Sequence, residues 1–202
     1  MKNILFDLGT VALKGHAADI LNKYNIDDKD YNKLLTFFKD TNNLDLGNES
    51  LEEKYNRCNF PKEFDTLYKD ILINYYKVRD INLDVIDLIN KIKENGYTLY
   101  VLSDNNKEVY EYFKNNELFK SFDIWVMSCN EKAVKKDGKL FDVLIDKYKV
   151  DPKECYFIDD NIINITEAKK RGFNTYLFDE DQDIKFLYND MKMNGIEVEY
   201  EK

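Results

Sequence analysis

The hydrophobic residues of this chain are arranged in two ways. Near the start and again after residue 80, short apolar runs end abruptly at polar residues, as is typical of buried strands followed by loops. Amphipathic stretches separate these runs, and alternating strands and helices favour an α/β fold in which helices cover a parallel sheet on both faces. The predicted strands are Asn3–Phe6, Thr98–Leu102, Asp123–Met127, Cys155–Ile158 and Thr175–Phe178. The predicted helices are Leu83–Glu94, Lys107–Lys114, Lys139–Tyr148, Ile162–Arg171 and Ile184–Met191.

Between the first predicted strand and residue 80 the pattern is helical. Apolar residues recur at helical spacing, as at Leu34, Leu35 and Phe38. Ser50 followed by Glu53 has the spacing of a helix capping box. We therefore expect an α/β core of residues 1–13 and 81–202, with a Rossmann-like sheet, and an inserted all-helical cap domain of residues 14–80.

Composition and charge argue against several classes of binding partner and metal site. Lys and Arg total 30 against 39 Asp and Glu, so the formal net charge is -9. Proteins that bind nucleic-acid backbones need an excess of cations, so we expect no nucleic-acid partner. No apolar run approaches the roughly 20 residues that span a bilayer, so we expect no membrane partner and a cytoplasmic location. The 3 scattered cysteines and single histidine indicate neither a disulfide framework nor a multi-histidine metal centre.

The side chains that could carry chemistry lie where predicted strands end. Asp7 follows the first strand, Ser103 and Asp104 follow the second, and Asp159 and Asp160 follow the fourth. Ligands of open α/β sheets bind at this edge. Two carboxylates about 4 Å apart repel each other by roughly 4 kcal/mol at an effective dielectric of 20, and a phosphate would add to that repulsion. A divalent cation would relieve it, and Mg²⁺ favours carboxylates, waters and a phosphate oxygen.

Four short motifs, in this order along the chain, resemble the haloacid dehalogenase superfamily, in the branch with an all-helical cap after the first strand. The motifs are Asn-Ile-Leu-Phe-Asp-Leu-Gly-Thr-Val at 3–11, Val-Leu-Ser-Asp at 101–104, Lys136, and Phe-Ile-Asp-Asp-Asn at 157–161 with Asn164. The resemblance covers nearly the whole chain. It implies a hydrolase that works with Mg²⁺ on a small phosphorylated substrate.

The resemblance also implies a role for each matching position. Asp7 would be the nucleophile that forms an aspartyl-phosphate, with Ser103 and Lys136 as the other catalytic residues. Lys135 is an alternative for the lysine, because the same charged loop carries both. The implied Mg²⁺ ligands are Asp7, the carbonyl of Gly9, Asp159 and Asp160. The implied substrate-binding residues are Gly9, Thr10, Ser103, Asp104, Asn105 and Lys136.

One position departs from the common pattern of the superfamily. Its phosphatases usually carry a second aspartate two residues after the nucleophile, which protonates the leaving oxygen and later activates water. In this chain that position is Gly9, and a general acid–base group typically contributes about 10²–10⁴ in rate. The superfamily has a branch with the motif Asp-Leu-Gly-x-Val that includes sugar-phosphate phosphatases. The group that protonates the leaving oxygen stays open; His16 is one candidate, although an ordinary linker residue is the simpler interpretation.

We therefore predict Mg²⁺-dependent hydrolysis of a phosphomonoester, such as a sugar phosphate, by a monomer or homodimer. Two alternatives stand beside this prediction. The first is a non-catalytic protein that binds phosphate and Mg²⁺, which is suggested by the glycine at position 9 in place of the second aspartate. The second alternative is a 2-haloacid dehalogenase, in which the same aspartate would attack carbon without Mg²⁺, and the Asp159–Asp160 pair argues against it.

Overall fold

The computed structural model describes residues 1–199, and its strands form one parallel sheet. The strands are β1 (Asn3–Phe6), β2 (Thr98–Ser103), β3 (Ile124–Met127), β4 (Cys155–Asp159) and β5 (Asn174–Leu177). Their order across the sheet is β3-β2-β1-β4-β5, and every neighbouring pair is parallel. In the central strand, Phe6 lies in register with Val101 on one side and Ile158 on the other. The predicted parallel sheet is therefore confirmed.

The helices account for most of the remaining described chain, together with short 3₁₀ segments. They are α1 (Asp28–Leu34), α2 (Asn42–Asp45), α3 (Leu51–Arg57), α4 (Glu63–Leu67), α5 (Lys69–Ile73), α6 (Leu83–Glu94), α7 (Lys107–Lys114), α8 (Ser128–Glu131), α9 (Lys139–Asp146), α10 (Ile162–Lys170) and α11 (Lys185–Met193). Helices α6 and α7 have the predicted bounds, whereas α9 ends before the predicted Tyr148, ahead of Lys149 with its left-handed φ of 57°. Within residues 1–199, no helix has the length and apolar character needed to cross a bilayer.

The sheet lies between two apolar layers, because successive side chains of a strand point to opposite faces. Ile4 and Phe6 belong to a buried cluster that also contains residues of α6, α7 and α11. Leu5 belongs to a second cluster, with residues of α9 and α10. Ile4, Leu5 and Phe6 are fully buried, which fixes the position of the residue that follows them. Helices cover both faces of the sheet, as predicted.

Residues 14–80, here called the helical insert, lie between β1 and α6, and every named element in them is helical. The capping box predicted at the start of α3 is present. The backbone N–H of Ser50 donates to Glu53 Oε2 at 2.7 Å, and that of Glu53 donates to Ser50 Oγ at 3.2 Å. The division of the chain into two domains at residues 14 and 80 stays a prediction.

The chain enters and leaves the helical insert side by side. Leu13 and Ile81 form an antiparallel bridge. The N–H of Lys14 donates to the carbonyl of Asp80 at 2.8 Å, and the N–H of Asn82 donates to the carbonyl of Ala12 at 2.9 Å. These paired segments tie both ends of the insert to the loop that follows β1.

The helical insert also contacts the rest of the chain, residues 81–199, at a second point. Lys132 Nζ donates to the carbonyls of Leu46 and Gly47 at 2.6 and 2.8 Å, and to Asn48 Oδ1 at 3.2 Å. Gly47 has a φ of 61°, and a Cβ built on it would lie only 2.6 Å from the carbonyl oxygen of Cys129. This contact, the Lys132–Gly47 contact, therefore requires glycine, both for backbone conformation and for space.

Candidate active site

The carboxyl ends of β1, β2 and β4 bring Asp7, Ser103 and the Asp159–Asp160 pair to one edge of the sheet. Asp7 is 8% exposed. Its Oδ1 accepts hydrogen bonds from the Ser103 hydroxyl at 2.6 Å and from the Leu8 N–H at 2.8 Å. The structure thus assembles the predicted nucleophile and hydroxyl.

The lysine that reaches this carboxylate is Lys135, so the prediction that Lys136 faces the nucleophile is wrong. Lys135 Nζ lies 3.0 Å from Asp7 Oδ1 and 2.5 Å from Asp159 Oδ2, and its side chain is 1% exposed. Both carboxylate oxygens of Asp104 accept the backbone N–H of Lys135, at 3.0 and 3.1 Å. This bond holds the backbone with the Lys135 side chain inward, whereas Lys136 is exposed.

The two adjacent aspartates after β4 have different surroundings. Asp159 is fully buried. Its Oδ1 accepts the Asn161 N–H at 2.8 Å, and the Asn164 side-chain amide lies 3.1 and 3.2 Å from its two oxygens. With Lys135 also bonded to Oδ2, Asp159 is held by protein donors alone. Asp160 is half-buried, so it is the member of the pair better placed to bind a cation directly.

The charges of the site act strongly on one another. Burial raises the pKa of Asp7 to about 7; the charges of Asp159 and Asp160 add to this rise, while Lys135 and the Ser103 hydrogen bond oppose it. Burial alone would lower the pKa of Lys135, but the carboxylates of Asp159, Asp7 and Asp104 together raise it. Burial also raises the pKa of Asp104, to about 6. The pocket therefore concentrates negative charge around one ammonium group.

The residues present fit a divalent cation. Carboxylate oxygens of Asp7, Asp159 and Asp160 all lie within 4.8 Å of one another. Because Asp159 already has its protein donors, Asp7 and Asp160 would supply the direct ligands, and waters and a substrate oxygen would complete the octahedron that Mg²⁺ prefers. Burial is the main cause of the raised pKa of Asp7, and such a cation would offset the repulsion from Asp159 and Asp160 that adds to it. The Gly9 carbonyl stays a predicted ligand.

Two predicted substrate-binding residues, Asp104 and Asn105, have hydrogen-bond partners within the site, and their contact with substrate stays a prediction. Both oxygens of Asp104 accept the Lys135 N–H, so Asp104 positions the lysine. The Asn105 side-chain amide donates to Ser103 Oγ at 2.9 Å, while the Asn105 N–H donates to Ser128 Oγ at 3.0 Å. Asn105 thus orients the hydroxyl that bonds Asp7.

Thr10, another predicted substrate-binding residue, lies in the loop that follows β1. It is nearly buried and has a φ of 61°, and its hydroxyl lies 3.4 Å from His16 Nδ1. Thr10, His16 and Asp160 line a cavity of about 430 Å³ together with residues 177–182. This cavity gives the half-buried aspartate an open side toward solvent.

Two side chains of the helical insert interact electrostatically with groups of the site, and the sequence analysis missed both: Asp45 interacts with Lys135, and Arg79 interacts with Asp7. Arg79 Nη2 donates to the carbonyls of Lys14 and Gly15, while its Nε is buried without a hydrogen-bond partner among residues 1–199. No periodicity or motif marks these positions, because their approach to the site depends on how the insert folds back.

Comparison with known proteins agrees with this geometry. The family model described as a haloacid dehalogenase-like hydrolase matches residues 1–172. A relative from Burkholderia cepacia, (S)-2-haloacid dehalogenase 4A, is 30% identical over 108 residues, which are 53% of this chain and 47% of the relative. Bifunctional epoxide hydrolase 2 of Mus musculus is 27% identical over 139 residues, which are 65% of this chain and 25% of that protein. The chain therefore spans less than half the length of these curated relatives.

Solved structures with the same fold cover almost all of the chain. A HAD family enzyme from Bacteroides thetaiotaomicron has a TM-score of 0.69 at 25% identity, covering 93% of this chain and 98% of its own. A complex of the wild-type form of that enzyme with magnesium and inorganic phosphate has a TM-score of 0.71 at 24% identity, covering 93% and 99% of the two chains. A HAD phosphatase from Thermococcus onnurineus has a TM-score of 0.70 at 19% identity, covering 98% and 100%.

Proposed function

This chain belongs to the haloacid dehalogenase-like hydrolase family, and from that starting point we propose that it hydrolyses a small phosphorylated metabolite with Mg²⁺, through an aspartyl-phosphate on Asp7. One observation carries the proposal. The buried carboxylate of Asp7 lies between two donors, Ser103 and Lys135, and beside a second carboxylate, Asp160, in a cluster that fits a divalent cation. In such a pocket the Lys135 ammonium group would attract a phosphate dianion, and a cation held by the carboxylates would do the same.

The chain's own residues suit the two halves of this reaction. Oδ1 of Asp7 is occupied by its three donors, so Oδ2 is the oxygen better placed to attack phosphorus. The Lys135 ammonium and the Ser103 hydroxyl are placed to stabilise the charge on the phosphoryl oxygens. A bound Mg²⁺ would supply further charge neutralisation between the carboxylates and the phosphoryl group. Water then attacks the aspartyl-phosphate and releases inorganic phosphate.

The helical insert would act as a cap over the site in this proposal. The paired segments at its ends and the Lys132–Gly47 contact hold it against the sheet domain. Its residues Asp45 and Arg79 interact electrostatically with Lys135 and Asp7 of the site, respectively. A cap of this kind excludes bulk water and contributes to the choice of substrate.

Hydrolysis of 4-nitrophenyl phosphate tests the proposal. The native protein should release nitrophenol in the presence of MgCl₂ and lose activity when EDTA is added. The Asp7→Asn variant should lose at least about 10³-fold in kcat, because the amide is a poor nucleophile. Asp181→Asn, a change at an exposed aspartate of the same cavity, is the matched control and should keep activity. Calorimetric binding of phosphate with no turnover of any phosphate ester would instead support a non-catalytic binding protein.

Carbon–halogen hydrolysis is the second candidate function, and the 30% identical (S)-2-haloacid dehalogenase favours it. In that reaction the same aspartate attacks carbon, and no cation is needed. The carboxylate cluster of Asp7, Asp159 and Asp160 argues for the phosphate reaction instead. Release of halide from 2-chloropropionate that EDTA does not affect would favour the dehalogenase, and its absence would favour the phosphatase.

A further inference from the structure

The backbone beside the nucleophile has room for a side chain that the sequence does not supply. Gly9 does not have a positive φ. A Cβ built on it would approach only Asp7 Oδ2, at 4.0 Å. Neither backbone conformation nor space therefore requires glycine at this position. The missing side chain has a chemical consequence, because a carboxyl group here would lie beside the oxygen that attacks phosphorus.

The polar groups nearest Asp7 are already committed to other contacts. Asp159 accepts from Lys135 and Asn164, and Asp104 accepts the Lys135 N–H with both oxygens. The Ser103 hydroxyl donates to Asp7 itself. Lys135 Nζ lies 3.0 Å from Asp7 Oδ1 and 2.5 Å from Asp159 Oδ2, so its ammonium group is already paired with these two carboxylates. Among the described side chains that contact Asp7, none is a ready proton donor for a leaving group.

Two more distant side chains are the remaining candidates for an acid. Asp45 of the helical insert accepts a hydrogen bond from the Thr41 hydroxyl at 2.6 Å. His16 is exposed and lies 3.4 Å from Thr10 Oγ1. The hydrogen bond of Asp45 joins it to Thr41 within the insert, and that of His16 joins it to Thr10 in the loop after β1. Both enter the experiment as direct tests.

We propose that the site is selective for phosphoryl compounds whose leaving oxygen is weakly basic, which means acyl phosphates, anomeric sugar phosphates and aryl phosphates ahead of phosphates of primary alcohols. This inference rests on the proposed function. Asp7 Oδ2 forms a bond to phosphorus while the bond from phosphorus to the leaving oxygen breaks. The bonding electron pair goes to that oxygen, which departs as an anion and takes its proton from bulk water. Water then attacks phosphorus, and Asp7 leaves as a carboxylate as dihydrogen phosphate forms.

The expected selectivity follows from where negative charge develops. Without a proton donor, the leaving oxygen carries that charge alone in the transition state, so the rate depends steeply on how well it tolerates charge. General acid catalysis typically contributes about 10²–10⁴ in rate. That factor is lost mainly for strongly basic leaving groups, since weakly basic ones need little help from a proton. A carboxylate or an anomeric oxygen is less basic than a primary alkoxide and therefore leaves more readily.

A series of aryl phosphates measures this dependence directly. The parent phenols should run from 4-nitrophenol through phenol to 4-methoxyphenol, with kcat/KM determined at saturating MgCl₂ for each. For the native protein, log kcat/KM should fall steeply as the phenol becomes less acidic. Two matched pairs extend the series to natural leaving groups: acetyl phosphate should exceed ethyl phosphate, and a hexose 1-phosphate should exceed the matching hexose 6-phosphate, by at least about 10²-fold. The two pairs also separate acyl from anomeric substrates.

A change at Gly9 provides the matched variants. Gly9→Asp should flatten the dependence and raise kcat/KM for the poorest leaving groups by about 10²-fold relative to 4-nitrophenyl phosphate. The side chain introduced by Gly9→Asn has nearly the same size as that of Gly9→Asp but carries no acidic proton. Whatever its absolute rate, this variant should show the native dependence of log kcat/KM on the acidity of the phenol. Thermal unfolding of both variants establishes that they fold. If neither folds, the native slope and the matched pairs still decide the question.

Several results would overturn the inference. A native slope as shallow as that of Gly9→Asp, or ethyl phosphate turned over as well as acetyl phosphate, would show that an acid is already present. A steeper slope in Asp45→Asn or His16→Gln would identify that acid and refute the proposal. Failure of the proposed function looks different, because then no member of the series is hydrolysed in a manner that depends on Asp7.

Discussion

Substitution of two neighbouring lysines, Lys135 and Lys136, tests which of the two positive charges stabilises the carboxylates of the site. Lys135 Nζ lies 3.0 Å from Asp7 and 2.5 Å from Asp159, while Lys136 is exposed. Lys135→Met removes the charge and leaves two buried carboxylates without their partner, so we expect a loss of about 3–5 kcal/mol in the free energy of unfolding. We also expect kcat for 4-nitrophenyl phosphate to fall by at least about 10²-fold. Urea denaturation and steady-state kinetics measure the two effects.

Lys136→Met is the matched control for this experiment. It removes the same charge one residue along the chain, from a side chain in solvent, so the free energy of unfolding should stay within about 0.5 kcal/mol of native. Similar losses in both variants would mean that the two lysines share the role, and the assignment to Lys135 would be wrong.

The sequence identified most of the residues in the site but not the correct lysine. Asp7, Ser103 and Asp159 could be placed together because each follows a strand of a parallel sheet, and such strand ends meet at one edge. The two lysines lie in a loop, where no such rule applies. The choice between them depends on Asp104, whose carboxylate holds the backbone of Lys135. That contact joins residues far apart in the chain.

At the scale of elements, the strands and long helices were predictable and the arrangement of the helical insert was not. Helices α6 and α7 have regular apolar faces, and their bounds match the predicted ones. In the insert, the spacing of apolar residues indicated helices without giving their bounds, and only the start of α3 was marked by a capping box. The other helices there are short, as in α2 and α4, and short helices are stabilised mainly by tertiary packing rather than by their own sequence. The electrostatic interactions of Asp45 and Arg79 with the site depend on that packing.

The Lys132–Gly47 contact predicts a difference between two glycine substitutions. Gly47→Ala and Gly96→Ala both put a side chain on a left-handed backbone, with φ values of 61° and 84°, and each should cost about 1–2 kcal/mol. At Gly47 the new Cβ also lies 2.6 Å from the Cys129 carbonyl oxygen, whereas at Gly96 nothing lies within 4 Å. We expect Gly47→Ala to lose at least about 1 kcal/mol more, because this close contact forces the backbone apart.

Chemical denaturation compares the two stabilities, and hydrogen exchange of residues 42–50 reports whether the insert has separated from the segment that contains Cys129 and Lys132. Exchange in this segment should accelerate in Gly47→Ala and stay native-like in Gly96→Ala. Equal stability and equal exchange in the two variants would show that the Lys132–Gly47 contact does not hold the insert in place.

For the molecule as a whole, the carboxylate cluster links cation binding to stability. Asp7, Asp159 and Asp160 repel one another in the native state, so a cation that binds only the folded protein should raise the Tm. At a Mg²⁺ concentration of 100 Kd the gain is about 2.7 kcal/mol, which corresponds to a Tm rise of roughly 5–10 °C for a protein of this size. The rise should be larger at pH 8 than at pH 6, because Mg²⁺ binds the deprotonated form of Asp7, whose pKa is about 7.

Differential scanning calorimetry with MgCl₂ and with EDTA measures this shift. Asp160→Asn should abolish it, since the amide removes a direct ligand and part of the repulsion. Asp181→Asn, on the exposed rim of the same cavity, should retain it. A shift that survives in Asp160→Asn would place the cation elsewhere on this acidic protein.

The position of β1 in the sheet affects how the polypeptide folds during its synthesis on the ribosome. β1 is the central strand, yet both of its neighbours come much later in the chain, with Asn3 opposite Thr98 and Cys155. The insert is synthesised before either neighbour, so β1 has no strand to pair with while the insert is being made. Nascent chains arrested before residue 155 should therefore expose an apolar segment that chaperones recognise, and longer ones should conceal it.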